Sequence, residues 1–347
     1  MLADAQGHAN LPPQAIAIQL ARAFQVSRAV HVAAKMGVPD VLGSGAKTFS
    51  EIAETTGTEA DRMRRLLRML ASVDVVRDLG EGRFELTPVG DCLRVDAPRS
   101  VRAVALLNSE VFWPAVDSLA DCIRTGKNAF QIQHGLDGAF AYLAQHPELA
   151  AVFDNAMSAF STLTGPALAM GYDFANVGRV VDVGGGHGKV LASILKAHPH
   201  LRGTLLDMPS VVEGAPALLA REGVADRCEV VGGDMFTSVP AGGNVYLLSH
   251  VIHDWEDAPA TQVLQACRRA MAPEARLVIV DQVLPERVEP NSAAASGLLL
   301  DLTMMVMLAG RERTASEFRA LLAAAGLRLE RVIPMQIADS LVEATPA

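Results

Sequence analysis

The sequence predicts an α/β chain: a parallel sheet of the doubly wound kind toward the C-terminus, preceded by a mainly helical unit of winged-helix type. Three observations predict it. First, four motifs lie end to end between Val180 and Asp257, each opening on or following a short apolar run that reads as a buried strand. They are VVDVGGGHGKV at 180–190, LLDMPSVV at 205–212, GGDMF at 232–236 and LLSHVIHDWED at 247–257. Second, the glycines of the first motif follow a strand and lead into a helix over 189–198, the order of a βα turn. Third, residues 15 to about 100 read as helices followed by a hairpin. Open parallel sheets bind ligands at the carboxyl ends of their strands, so the four motifs are expected to converge.

Taken in chain order, Ala15 to Met36 is one long apolar-periodic helix. Gly37 to Leu42 follows, and Thr48 to Ala53 starts a short helix with a cap-like serine, Ser50. Thr58 to Val73 is the second helix of a helix-turn-helix. Val75 to Asp78 and Arg83 to Leu86 bracket the turn Leu79-Gly80-Glu81-Gly82, as a wing would. The chain is longer than one typical core, and the expected division is 1–100, 101–178 and 179–347. The middle part is chiefly helical. Trp113-Pro114 marks a helix start or bend, Phe130 to Gly138 reads as a loop, and Ala139 to Leu143 as a helix. Phe153, Met157 and Phe160 recur at helical spacing. In the last part Val180 to Val183 is a strand, Asp207 ends the next, and Cys228 to Val231 is a third. A helix starts near Pro259, Thr314 to Gly326 is another, closed by its glycine, and Leu327 to Ile333 is the final strand. Val288 to Ser296 looks like a mobile loop near the pocket.

The glycine turn has the spacing Gly-x-Gly-x-Gly rather than that of the dinucleotide fingerprint, which favours a smaller ligand without a pyrophosphate. Asp207 stands about 20 residues further on, where a carboxylate accepts from two ribose hydroxyls. Asp234 can accept from an adenine amino group, and Met235 and Phe236 offer an apolar, polarizable face to the ring. A nucleoside is implied.

These motifs resemble those of the S-adenosylmethionine-dependent small-molecule O-methyltransferases, typified by plant caffeate O-methyltransferase and by bacterial tailoring enzymes for polyketide and phenazine products. The resemblance runs from about Ala15 to near Ile333, and the glycine loop, GDMF and HDWED are its most specific parts. It implies a Rossmann-like sheet whose last strand is antiparallel, an N-terminal interlocking dimerisation domain, and hence a homodimer. It implies S-adenosyl-L-methionine as cofactor, S-adenosyl-L-homocysteine as product, no metal, and a small aromatic hydroxyl as acceptor. Asp182, Gly184, Gly186, Asp207, Met208, Asp234, Met235, Phe236 and Ser249 are then the expected cofactor contacts. Trp113, Phe153, Met157, Met304 and Met307 are the expected acceptor contacts. The family's general base maps onto His253, and its two flanking carboxylates onto Asp281 and Glu312.

Methyl transfer from a sulfonium to oxygen is an in-line displacement that needs alignment and a nucleophile. A phenol titrates near about 10 and an ordinary histidine near about 6.5, so proton removal is uphill unless it is coupled to attack. A carboxylate on the far ring nitrogen would fix the tautomer and stabilise the imidazolium. The plainer readings are that His253 or Asp254 caps the following helix, that Asp281 is an ordinary strand end, and that Glu312 is a solvated loop charge. His250 reads as a residue beside the cofactor or a satisfied core group, and the His187 ring as lying over the glycine loop. Magnesium chemistry through Asp254, Glu256, Asp257, Asp281 and Asp301 is the sharper competitor, disfavoured because the HDWED acids point different ways.

Two other functions compete: a non-methylating relative that uses the cofactor for hydroxylation or decarboxylation, and a winged-helix regulator. Arg62, Arg64, Arg65 and Arg68 could touch phosphates, but the net charge of −9 argues against nucleic acid. Gly297 to Gly310 is too short for a membrane span and is broken by Asp301. The widely spaced Cys92, Cys122, Cys228 and Cys267, and a start without a signal-peptide pattern, lead to the expectation of a cytoplasmic protein.

Overall fold

Proline opens the first helix, α1 (Pro13–Lys35), in the first turn, where the missing N–H has no intrahelical acceptor to lose. The computed structural model describes residues 11–290 and 294–347. The chain divides into two units, Met1–Asp117 with Leu143–Ala159, and Ser118–Tyr142 with Phe160–Ala347.

In the first unit Gly37, at φ 73°, turns the chain into α2 (Val38–Leu42). The short strand β1 (Lys47–Thr48) leads straight into α3 (Phe49–Thr56), opened by a capping box between Thr48 and Glu51. The expected serine cap is therefore corrected. Ser50 lies inside the helix, whereas Thr48 keeps the extended backbone that lets its hydroxyl accept from the Glu51 amide. Helix α4 (Ala60–Ala71) buries Met63, Leu67 and Leu70. The hairpin of β2 (Val76–Gly80) and β3 (Arg83–Leu86) turns on Glu81 and Gly82, both at positive φ as a two-residue type I′ turn requires. β1 pairs with β3, completing the wing. Further along, a π-helical turn, Asn108–Phe112, hands over to a helical turn beginning at Trp113.

In the second unit, the stretch Phe130 to Gly138 is not a plain loop. Asn128 and Gln131 form a capping box that starts helix α5 (Ala129–His134), and Gly135 at φ 68° ends it. Helix α6 (Pro147–Gly171) contributes residues to both units. The chain then enters the main sheet through β4 (Arg179–Val183), α7 (Lys189–Ala197), β5 (Arg202–Asp207), β6 (Cys228–Gly232), β7 (Val245–Ser249), α8 (Asp257–Ala270) and β8 (Arg276–Asp281). β9 (Val283–Leu284), α9 (Ala295–Met307), β10 (Arg313–Thr314), α10 (Ala315–Ala324), β11 (Leu327–Pro334) and β12 (Ser340–Pro346) complete it.

The seven strands lie in the order β11-β12-β8-β7-β4-β5-β6. β8, β7, β4, β5 and β6 are mutually parallel, while β12 runs antiparallel to both β8 and β11. One face packs Val181, Val183, Tyr246 and Leu248 with Val263, Leu264, Phe318 and Leu322. The other packs Val180, Leu205 and Leu247 with Leu191, Ile194 and Leu195. Strands covered on both faces are largely apolar, which is why these runs lack the alternation of a half-exposed sheet.

Leu327 to Ile333 is not the final strand. Ser340–Pro346 follows it and inserts between the edge and β8. The charge of Glu343 disguises this strand in the sequence; it is buried, and Arg331 donates to it at 2.8 and 3.0 Å. The loop expected over Val288 to Ser296 lies in part outside the described residues, and α9 already begins at Ala295. Among the described residues, no helix is long and apolar enough to cross a membrane.

Candidate active site

Strand order reverses at β4, whose neighbours β5 and β7 continue in opposite directions, so the crevice of the sheet opens at the carboxyl ends of β4 and β7. All four sequence motifs end there or on the adjacent β5 and β6. Gly184, at φ 71°, turns the chain off β4, and a Cβ there would meet Val251 Cγ2 at 2.9 Å. Asp207 finishes β5 with its carboxylate fixed by backbone: Oδ2 accepts from the Gly186 amide and Oδ1 from the Met208 amide, both at 2.7 Å. Lone pairs remain on both oxygens. Asp234 is organised alike, accepting from the Phe236 amide at 2.9 Å and the Thr237 hydroxyl at 3.1 Å. The Phe236 ring stands edge-on to Trp255 with centroids 4.9 Å apart.

Asp182 occupies a different place from its companions. It is fully buried, neither carboxylate oxygen has a hydrogen-bond partner among the described residues, and a Cβ on Gly185 would meet its Oδ2 at 2.5 Å. Burial, reinforced by the charge of Asp207, pushes its carboxyl up to about 7. It lies directly under the glycine loop at Gly185. The His187 ring lies against Gly214.

Beyond β7 the chain makes one 3-10 turn, Ile252–Asp254, that presents His253. Helix α8 begins only at Asp257 after Glu256, so neither His253 nor Asp254 is its cap, and the capping reading is corrected. The imidazole is 8% exposed. Nδ1 stands 2.6 Å from Glu312 Oε1 and 3.9 Å from Asp281 Oδ1. Nε2 is 3.6 Å from Asp254 Oδ1, beyond hydrogen-bond reach, and so remains available to an incoming group.

Backbone pairing brings the two carboxylates together. β9 and β10 are parallel partners with Val283 opposite Arg313, which sets Asp281, at the end of β8, beside Glu312. The segment before Glu312 is pressed on the histidine turn: the Arg311 amide donates to the His253 carbonyl at 2.9 Å, and a Cβ on Gly310 would be 2.1 Å from that same oxygen. Asp301, the lone acid in an apolar helix, accepts from the Glu312 amide at 2.9 Å. Burial raises both carboxyls, Asp281 to about 7 and Glu312 to about 8. Asp254 also rises with burial, to about 6.

A second histidine borders the first. His250, at φ 55°, places its ring 5.4 Å from that of His253 and its Nε2 3.3 Å from Asp339 Oδ2, which also accepts from the Thr164 hydroxyl. Burial opposes its charge, but Asp339, helped by Asp281 and Glu312, prevails and holds it at about 9.

The O-methyltransferase domain profile matches residues 116–328, and the O-methyltransferase dimerisation domain profile matches residues 18–96. The chain belongs to the O-methyltransferase family. Phenazine O-methyltransferase PhzM of Lysobacter antibioticus is 40% identical to this O-methyltransferase over 97% of both chains. The 8-amino-8-demethylriboflavin N,N-dimethyltransferase of Streptomyces davaonensis is 38% identical over 90% of this chain and 89% of its own. Among solved structures, the SAH-bound form of CalO1, the methyltransferase of calicheamicin biosynthesis, superposes with a TM-score of 0.86 at 36% identity, covering 97% of this chain and 100% of that one.

Of the remaining expected residues, Ser249 ends β7 with its hydroxyl 3.4 Å from His250 Nδ1. Met304 and Met307 are buried on one face of α9. Trp113, Phe153 and Met157 belong to the first unit. Sequence reasoning missed the parts of Asp339, Arg313 and Asp301 in this O-methyltransferase. Only Asp301 carried a visible signal, an acid interrupting an apolar run.

Proposed function

We propose that this enzyme transfers a methyl group from S-adenosyl-L-methionine to a phenolic hydroxyl of a small aromatic metabolite, without a metal, with His253 as general base. When bound, the cofactor supplies a methyl group activated by its sulfonium charge. The residues present fit it: Asp207 offers free lone pairs at a strand end, and the Gly186 position, at φ 60°, has open space where a Cβ would stand. Asp234, with Met235 and Phe236 beside it, suits the base, and Ser249 borders the same crevice.

The observation that carries the reading is the bond from Nδ1 to Glu312. A proton held between these atoms on the nitrogen leaves the Nε2 lone pair free to take the phenolic proton as attack proceeds. Asp281, fully buried 3.9 Å from Nδ1, adds negative charge whenever it is ionised, and that charge favours the imidazolium then formed. Two of the five competing magnesium ligands are engaged elsewhere, Asp257 with Arg313 and Asp301 with the Glu312 amide. Among the described residues, no group of three or more His, Cys, Asp or Glu side chains could hold a metal ion.

Acceptor contacts are assigned on family resemblance to Trp113, Phe153, Met157, Met304 and Met307. A homodimer is supported by the dimerisation profile and by Ile18, Leu20 and Phe24, each more than half exposed on α1. The test is His253→Ala, assayed with labelled cofactor on a panel of phenols. Cofactor affinity should persist while turnover of un-ionised phenols falls on the order of 10²- to 10⁴-fold. Unchanged turnover of an un-ionised phenol would refute the base.

A further inference from the structure

We propose that Arg313 is a positioning residue for the base, its guanidinium holding the turn that carries His253 where Glu312 can reach the ring. The inference rests on His253 being the base. Arg313 is 1% exposed and among the largest fully buried side chains of the protein. Its Nη1 donates to the carbonyl of Ile252 at 3.1 Å and to that of Arg311 at 3.4 Å. Its Nη2 donates to the Trp255 carbonyl at 2.8 Å, and Nη2 and Nε both donate to Asp257 Oδ1, at 2.8 and 3.0 Å.

The partners are the point of the arrangement. Ile252 precedes His253 and Trp255 closes the turn, so one rigid plane grips both ends of the segment from which the imidazole projects. A guanidinium presents its donors in a fixed fork and cannot lose its charge, whereas a lysine ammonium would satisfy these carbonyls only in part. A buried cation is a poor device for stability alone, since an apolar side chain of similar volume is often as good or better. Here it supplies donors to inward-pointing carbonyls that would otherwise be orphaned.

Glu312 and Arg313 are consecutive, and the first meets the His253 ring while the second meets the backbone of its turn. The segment therefore holds the histidine twice, by its ring through Glu312 and by its backbone through Arg313. Arg313 touches neither the ring nor the reacting atoms. Its effect passes through placement, where an error of about 1 Å can lower the rate about 100-fold.

The experiment compares Arg313→Lys with the parent enzyme, and both with the same pair carrying His253→Ala. Arg313→Lys should lower kcat on an un-ionised phenol about 10- to 100-fold, with the dissociation constant of S-adenosylhomocysteine unchanged. The loss should vanish for 4-nitrophenol at pH 9, which arrives already ionised, and in the His253→Ala background. In ¹⁵N-histidine spectra, the His253 signal, identified by its absence from His253→Ala, should move from the Nδ1–H tautomer toward a mixture. An unchanged histidine signal, or an equal loss with and without His253, overturns the proposal. If Arg313→Lys fails to fold, Asp257→Asn, at a side chain 65% exposed, loosens the same fork and takes the same measurements. Failure of the base reading itself would show separately, as full turnover by His253→Ala alone.

Discussion

Nδ1 of His253 and Oε1 of Glu312 stand 2.6 Å apart in a part of the protein where neither side chain is open to solvent. Water has no ready access to either partner, so the contact is held without competition from solvent. In Glu312→Gln the amide oxygen can still accept from Nδ1, but the side chain can no longer ionise to balance the imidazolium as it forms. We expect kcat on an un-ionised phenol to fall on the order of 10²-fold or more while the affinity for S-adenosylhomocysteine is kept, as read by initial rates and calorimetry.

Asp207 makes the opposite separation. Its two oxygens hold the Gly186 and Met208 amides and face the place assigned to the ribose. Charge-assisted hydrogen bonds contribute about 1.5–3 kcal/mol each, so Asp207→Ala should weaken S-adenosylhomocysteine binding by about 10- to 100-fold or more. Calorimetric titration reads this directly. An affinity within twofold of the parent would place the ribose elsewhere.

Much of this is legible in the sequence, and for a physical reason. The strand ends β4 to β7 announce themselves because strands buried on both faces are continuous apolar runs, and the polar residues that follow must do something other than pack. His253 and Glu312 carried motif signals. Their contact is set by the pairing of Val283 with Arg313, a non-local register that no local pattern encodes. The same limit hid β12: its polar residues become acceptable in a strand interior only once Arg331 and Arg276 are brought to Glu343. Thr48 and Ser50 both fit a cap by composition, and backbone geometry alone decides between them.

His250 gives the stability a pH dependence of defined sign. Its folded value, about 9, lies above the value of about 6.5 expected in the unfolded chain. The stabilisation is thus complete below about pH 6.5 and is lost as the pH rises through about 9. Asp339, Asp281 and Glu312 face this imidazole with His253, and Ser249 and Thr164 complete the surroundings. Asp339→Asn removes the nearest opposing charge. Thermal melts from pH 6 to 9.5 should show a shallower decline in this variant than in the parent, and parallel curves would remove His250 as the cause.

Gly310 offers a test of how tightly the catalytic pair depends on backbone approach. A methyl group there would stand 2.1 Å from the His253 carbonyl oxygen and 2.6 Å from the Asp254 carbonyl carbon, both backbone atoms that cannot rotate aside. Gly310→Ala must therefore push its own segment, and Glu312 with it, away from the histidine turn. Overpacking of this kind destabilises by about 1–3 kcal/mol, which should lower the melting temperature by several degrees. The kinetic consequence should be larger in proportion: kcat on an un-ionised phenol should drop at least about tenfold, while cofactor affinity, set by the ends of β4, β5 and β6, stays near that of the parent. Retention of full kcat with a lowered melting point would mean that the Glu312 contact tolerates displacement, and that the pair is held less rigidly than its surroundings indicate.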